Sequence, residues 1–282
     1  MNKLITNILV PVQLNEEHIS VLKQAAELAR EHHSVIHLLY VEPASYNLRA
    51  GWISKLLDPA TLVTRLKEKL ELMATWKRWI EKEYGVPATC TTAWGNWKKT
   101  VIRHVSLFHA DLVILKQQPF EKHWYNGIIT SSTEFIIRKS KCQVLILFSE
   151  KNAIAEWTQV VIPVTGFIPY ARILTIIRSV KAFHIKIHLI TLSGNESESG
   201  FYFLTESLKF LKLYNNIQVE CRYVKNNFNA PGEYMKYARN IKADVLMTNT
   251  FNNVNPGDLL SLNESSFETM AHSKKIPFNV TF

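Results

Sequence analysis

The sequence predicts an α/β protein built from two tandem, doubly wound, Rossmann-like domains, and three observations predict it. Short apolar runs alternate with amphipathic stretches of helical period. The whole succession occurs twice, in the same order. The composition is that of a globular chain, with 47% hydrophobic and 20% charged residues among 282, so each half holds enough apolar surface for a core.

The first strand is Leu9-Val10-Pro11-Val12, and it recurs as Val161-Ile162-Pro163-Val164. Residues 17–32 follow as a helix, with Ile19, Leu22, Ala25, Ala26 and Ala29 on one face at spacings of three and four. The second strand, Ile36-His37-Leu38-Leu39, returns as Ile187-His188-Leu189-Ile190. A long helix over 61–84, with Leu62, Leu66, Leu70, Met73 and Ile80 on one side, is the insertion peculiar to the first copy. Cys90 in the third strand (86–92) has its counterpart in Cys221 (217–224). Val101, Val105 and Phe108 lead into Ala110-Asp111-Leu112-Val113-Ile114, as Tyr234, Ala238 and Ile241 lead into Ala243-Asp244-Val245-Leu246-Met247. Cys142 through Ile146 closes the first copy, and Ile276 through Val280 is expected to close the second.

Such alternation gives βαβ units and a parallel sheet. The near-continuous apolar strands suit a sheet covered on both faces, and right-handed crossovers leave one open sheet per half. The polar stretch 149–156 marks the boundary, so the expected domains are 1–150 and a shorter, more divergent 156–282, packed on each other.

Several function classes lose support. The formal charge of +9 is spread over both halves without a basic run, which argues against specific nucleic-acid binding. No stretch approaches the ~20 apolar residues of a membrane span, and the start lacks signal-peptide features. Three scattered cysteines form neither a disulfide framework nor a metal pair, so a cytoplasmic location is expected. No P-loop, dinucleotide fingerprint, HExxH or nucleophile elbow is present. His32, His33 and His37 straddle a helix end and a strand, which suits a helix C-terminus better than a metal. Trp76 and Trp79 read as core or interface residues, or as the wall of an apolar crevice that the segment 46–57 would cap. No catalytic residue and no metal ligand is assigned.

The strands Ile8-Leu9-Val10-Pro11-Val12, His37 through Val41 and Ala110 through Leu115, with Ser131 through Leu147 as last helix and strand, resemble the universal stress protein domain. The resemblance implies a five-stranded parallel sheet per half in the order 3-2-1-4-5, two domains forming a pseudo-dimer, and a ligand crevice at the switch point. In ATP-binding members an Asp ends the first strand, and Gly-x-x-Gly, nine residues and Gly-Ser/Thr follow the fourth. Those glycines let main-chain amides approach phosphates, and the next helix start adds positive dipole.

This sequence departs from that pattern in both copies. The Asp position holds Gln13 and Thr165; the first two glycines fall at Lys116 and Pro119, then at Thr248 and Phe251. The Gly-Ser pair falls at Thr130-Ser131 and at Glu264-Ser265. The ligand-contacting positions implied by the resemblance are Pro11, Val12, Gln13, Val41, Lys116, Gly127, Thr130 and Ser131 in the first copy, and Thr165, Thr248, Asn249 and Ser265 in the second. The expected protein is thus a non-enzymatic, regulatory or ligand-binding member without a cofactor, acting through protein partners or an unidentified small ligand, with a homodimer left open. The alternative is an ATP- or AMP-binding switch, with weak ATPase, in which Lys116 and the Thr130-Ser131 helix start serve the first copy.

Overall fold

The computed structural model describes residues 5–15, 18–43, 59–117, 132–149, 151–180, 185–193, 198–214, 217–225 and 230–249, all within one compact unit that spans 1–250. In the first half, β1 (Asn7–Val12), α1 (His18–His32), β2 (Val35–Pro43), α2 (Pro59–Tyr84), β3 (Ala88–Gly95), α3 (Trp97–Leu107), β4 (Leu112–Lys116), α4 (Ser132–Lys139) and β5 (Gln143–Leu147) alternate as expected. A 3-10 turn, Ile154–Glu156, leads to β6 (Gln159–Pro163), α5 (Tyr170–Ser179), β7 (Ile185–Ser193), α6 (Glu198–Leu211), β8 (Ile217–Lys225), α7 (Ala230–Asn240) and β9 (Val245–Asn249).

The strands form one sheet in the order β3-β2-β1-β4-β5-β9-β6-β7-β8. The first five stand in the 3-2-1-4-5 order. The second half keeps 3-2-1-4 as β8-β7-β6-β9 and differs only beyond β9, whose other neighbour is β5 of the first half. Its place for a fifth strand is filled by the first half, and the expected strand 276–280 lies outside the described residues. Among the described residues every pairing is parallel except β5–β9, which is antiparallel with Leu145 opposite Met247. The carboxyl ends of the two parallel groups therefore point to opposite ends of the sheet. Right-handed crossovers put α1 and α2 on one face and α3 and α4 on the other, and the helix contacts agree, since α1 meets α2 and α5 while α4 meets α3 and α7.

Apolar content decides which faces are covered. Five of the six β1 residues are buried, and Leu22, Ala25, Ala26 and Ala29 of α1 are sealed beneath them. Ile19 falls outside that stripe and is exposed, as is Leu70 on α2, where Met73 and Ile80 are buried instead. Trp76 and Trp79 pack on the core; the segment 46–57 lies outside the described residues. A single hydrophobic cluster runs through both halves, from Ile5 to Met247.

The duplication repeats down to single hydrogen bonds. Asp111, just before β4, accepts the N–H groups of Thr6 and Asn7 at 2.7 and 3.1 Å. Asp244, just before β9, accepts those of Thr158 and Gln159 at 2.7 and 3.1 Å. His37 Nε2 meets Asn7 Oδ1 at 3.3 Å and His188 Nε2 meets Gln159 Oε1 at 3.2 Å, so the shared histidine tethers neighbouring strand starts. His109 and Lys242, two residues before those aspartates, both adopt left-handed backbone, at φ 46 and 54. Cys90 and Cys221 face the same leucine position, Leu38 and Leu189.

The stretch around the expected boundary is docked on α1. Trp157 is 1% exposed and its Nε1–H donates to Gln24 Oε1 of α1 at 2.7 Å. Gln24 Nε2 donates to the carbonyl oxygens of Lys151 (2.6 Å) and Ser20 (3.2 Å). Ile154 N–H donates to Glu27 at 2.8 Å, and His32 meets Ser179 of α5 at 3.4 Å.

Candidate functional site

Each half opens a crevice where its first and fourth strands part. β1 pairs with β4 only at Ile8↔Leu112 and Leu9↔Val113, yet with β2 as far as Val12↔Tyr40. β6 pairs with β9 only at Val160↔Val245 and Val161↔Leu246, yet with β7 as far as Pro163↔Ile190. In both halves a proline, Pro11 or Pro163, stands two residues beyond the last pair and has no N–H to extend the ladder. Beyond it lie the carboxyl ends of the strands, the side on which ligands of open α/β sheets bind.

At the first mouth Pro11, Val12 and Val41 are buried, Gln13 is exposed and Lys116 is half-buried at the end of β4. The Gln13 N–H donates to Nδ1 of His18 at 3.4 Å. His18 opens α1 and is buried, so an imidazole occupies the turn between strand and helix. On the neighbouring strand β2, Tyr40 O–H donates to the buried carboxylate of Glu42 at 2.6 Å. The first mouth therefore carries an imidazole-engaged amide. Gly127, Thr130, Ser131 and Pro119 lie outside the described residues.

At the second mouth Thr165 is half-buried after β6, and Thr248 is buried near the end of β9. The shared Ala-Asp start fixes the register between halves, and it sets Asn249, not Thr248, where the first half has Lys116. Ser265, Glu264 and Phe251 lie outside the described residues. Gly166 has φ 72, a turn conformation that suits glycine, and lets the chain leave β6 for α5.

Two residues at these mouths escaped the sequence reading. His18 looks like an ordinary helix-start residue. Arg172, in the first turn of α5, is 2% exposed, and its Nη1 donates to Pro163 O at 2.8 Å. Burial pushes its guanidinium down to about 9, so it stays a cation at neutral pH. The one legible signal was position, since Arg172 stands four residues before buried Ile176 and on the same helix face.

His32, His37, Cys90 and Cys142 are engaged within the fold. His32 turns to Ser179, whereas His37 turns to Thr89 Oγ1 (2.8 Å) and stacks on Phe108 with ring centres 4.5 Å apart. Burial lowers His32, His37 and His188 alike. Burial pushes the Cys90 thiol up to about 11 and the Cys142 thiol up to about 12, away from the thiolate that nucleophilic or redox work needs. Among the described residues no helix is long and apolar enough to cross a membrane.

Residues 5–147 match the model of the universal stress protein family. No curated protein matches the chain. Among solved structures, a universal stress protein from Archaeoglobus fulgidus superposes with a TM-score of 0.53 at 16% identity, over 86% of this chain and 85% of its own. Likeness at that identity speaks for the fold. The universal stress protein UspA from Lactobacillus plantarum is 20% identical with a TM-score of 0.40, over 50% of this chain and 96% of its own. A universal stress protein in complex with cAMP is 12% identical with a TM-score of 0.36, over 51% of this chain and 96% of its own. The family match runs from before β1 to the end of β5 and takes in more than half of the sequence: the chain belongs to the universal stress protein family.

Proposed function

We propose that this chain is a regulatory, ligand-binding universal stress protein without enzymatic activity, made of two duplicated domains, that does not hold ATP through the family's glycine loop. The observation that carries this reading is the first mouth. Gln13 stands where ATP-binding members carry Asp, its amide is engaged by His18, and Lys116 replaces the first glycine at the end of β4. A triphosphate needs free main-chain amides at close range. In the first half Lys116 puts a side chain at the first glycine position, and in the second half Asn249 takes the matching place. Its work is then binding, of a small ligand in a crevice or of a protein partner on the surface, with a second copy of the chain among the candidates.

One observation favours a second reading, an ATP- or AMP-binding switch with weak ATPase. Lys116 stands at the lip of the first crevice, where its ammonium is in reach of a phosphate that lost its backbone cradle. Equilibrium titration of the full chain with labelled ATP and magnesium separates the two. The expected result is no saturable binding below millimolar concentration. Sub-millimolar binding that Lys116→Ala abolishes would overturn the proposal and establish the switch.

A further inference from the structure

The second mouth holds a cation that packing does not require. Arg172 lies in the interior, with one donor committed to the Pro163 carbonyl and its guanidinium carbon 5.4 Å from the centre of the Phe167 ring. Nη2 is buried and meets no acceptor among the described residues. No carboxylate among them pairs with it; its titratable neighbour is the Tyr234 hydroxyl of α7, which burial keeps neutral. Buried guanidinium groups are ordinarily paired, because removing the charge from water is costly.

Its place in the fold gives the donor a direction. Pro163 is the last residue of β6, two residues beyond the last β6–β9 pair. Arg172 comes from α5 on one face of the sheet and Tyr234 from α7 on the other. The guanidinium thus spans the point where β6 and β9 separate. The amino end of α5, ten residues long, adds its positive dipole there. A planar cation with a spare N–H, backed by an aromatic face, is suited to a carboxylate or phosphate oxygen.

We propose that the crevice between β6 and β9 binds the oxyanion group of a small metabolite, a carboxylate or a phosphate, through Nη2 of Arg172. This deepens the ligand-binding reading and rests on it, naming the half and the chemistry. The same helix position in the first half is Ser20, so one oxyanion per chain is expected. The anion is held by a side chain from the α5 side, independently of the loop after β9.

The test uses the full chain with inorganic phosphate and with acetate, at ionic strength balanced by sodium chloride, followed by calorimetric titration and thermal shift. Wild type should show saturable binding of at least one probe with a stoichiometry of one and a matching rise in Tm. Stronger phosphate binding would assign a phosphate ester, and stronger acetate binding a carboxylate. Arg172→Lys should weaken binding about tenfold or more, because an ammonium cannot hold Pro163 and the ligand in one planar fork. Arg172→Met should abolish it; if that variant fails to fold, the lysine variant carries the comparison. Arg222→Ala, at a surface arginine paired with Glu220, should bind as wild type. Absence of saturable binding of either probe to wild type, or an unchanged response in both Arg172 variants, overturns the inference. ATP binding that depends on Lys116 would overturn the broader reading and leave the Arg172 result standing.

Discussion

Replacing Gln24 with leucine should loosen the attachment of the second half to α1, by an amount the contacts allow us to work out. The substitution removes the 2.7 Å bond from Trp157 Nε1–H and the 2.6 Å bond to Lys151 O. The indole N–H is left in the interior, where an unsatisfied donor costs about 1–3 kcal/mol. The Lys151 carbonyl borders solvent and recovers part of its loss from water. Leucine returns up to ~1 kcal/mol of apolar burial, so the net loss should be about 2 kcal/mol. Trp157→Phe deletes the donor itself and a few core atoms, at a cost of about 1–3 kcal/mol. The double variant leaves an apolar pair with no orphaned indole, and should be more stable than the sum of single losses predicts by about 1–2 kcal/mol. Urea unfolding of the full chain, followed by far-UV circular dichroism and by fluorescence of the remaining tryptophans, measures the cycle. Both probes should report one coincident transition. Losses that add to within ~0.5 kcal/mol would refute the claim that this bond joins the halves.

The twin aspartates offer a comparison inside one molecule. Asp244→Ala should cost more than Asp111→Ala, about 2–4 against about 1–3 kcal/mol, because Asp244 also holds Lys151 Nζ at 2.9 Å; equal losses by chemical denaturation would contradict this. Acidification should lower stability in two windows. Burial depresses His32, His37 and His188 below 6.5, so the unfolded chain binds protons first. Their contribution is full above pH 6.5 and is lost as pH falls from there toward the lower folded values. Burial acts to raise Asp244, but Lys151 and the Thr158 and Gln159 amides outweigh it and hold the carboxyl below 3.8, so that contribution is lost only under stronger acid. A Tm that rises between pH 7 and pH 5 would be incompatible with the histidine assignments.

Much of this fold was readable because its signals are local. A parallel strand buried on both faces must be apolar through its middle, and β1, β4 and β6 are, with Asn7, Lys116 and Gln159 at their ends. The repeated Ala-Asp pair before β4 and β9 was visible as letters, and its meaning, a carboxylate capping two strand-start amides, needed coordinates. The antiparallel β5–β9 pairing was not legible, since which edges meet is decided by how the halves pack rather than by either strand. Stretch 149–156 read as a domain boundary because polar residues dominate it; that buried Trp157 follows and that Gln24 receives its indole was not legible. Arg172 escaped for a related reason. Amid Ile173, Leu174, Ile176 and Ile177 a single arginine passes for a surface residue, and nothing short of its burial tells otherwise.

The reversal of direction between β5 and β9 has a consequence for how the molecule meets its surroundings. Strands five residues long rise about 17 Å in all, and the two mouths look out from opposite poles of that layer. A compound of metabolite size held at one pole cannot touch a residue of the other. Any influence of a ligand at one pole on the other would have to be relayed through β5, β9 and the helices laid across them.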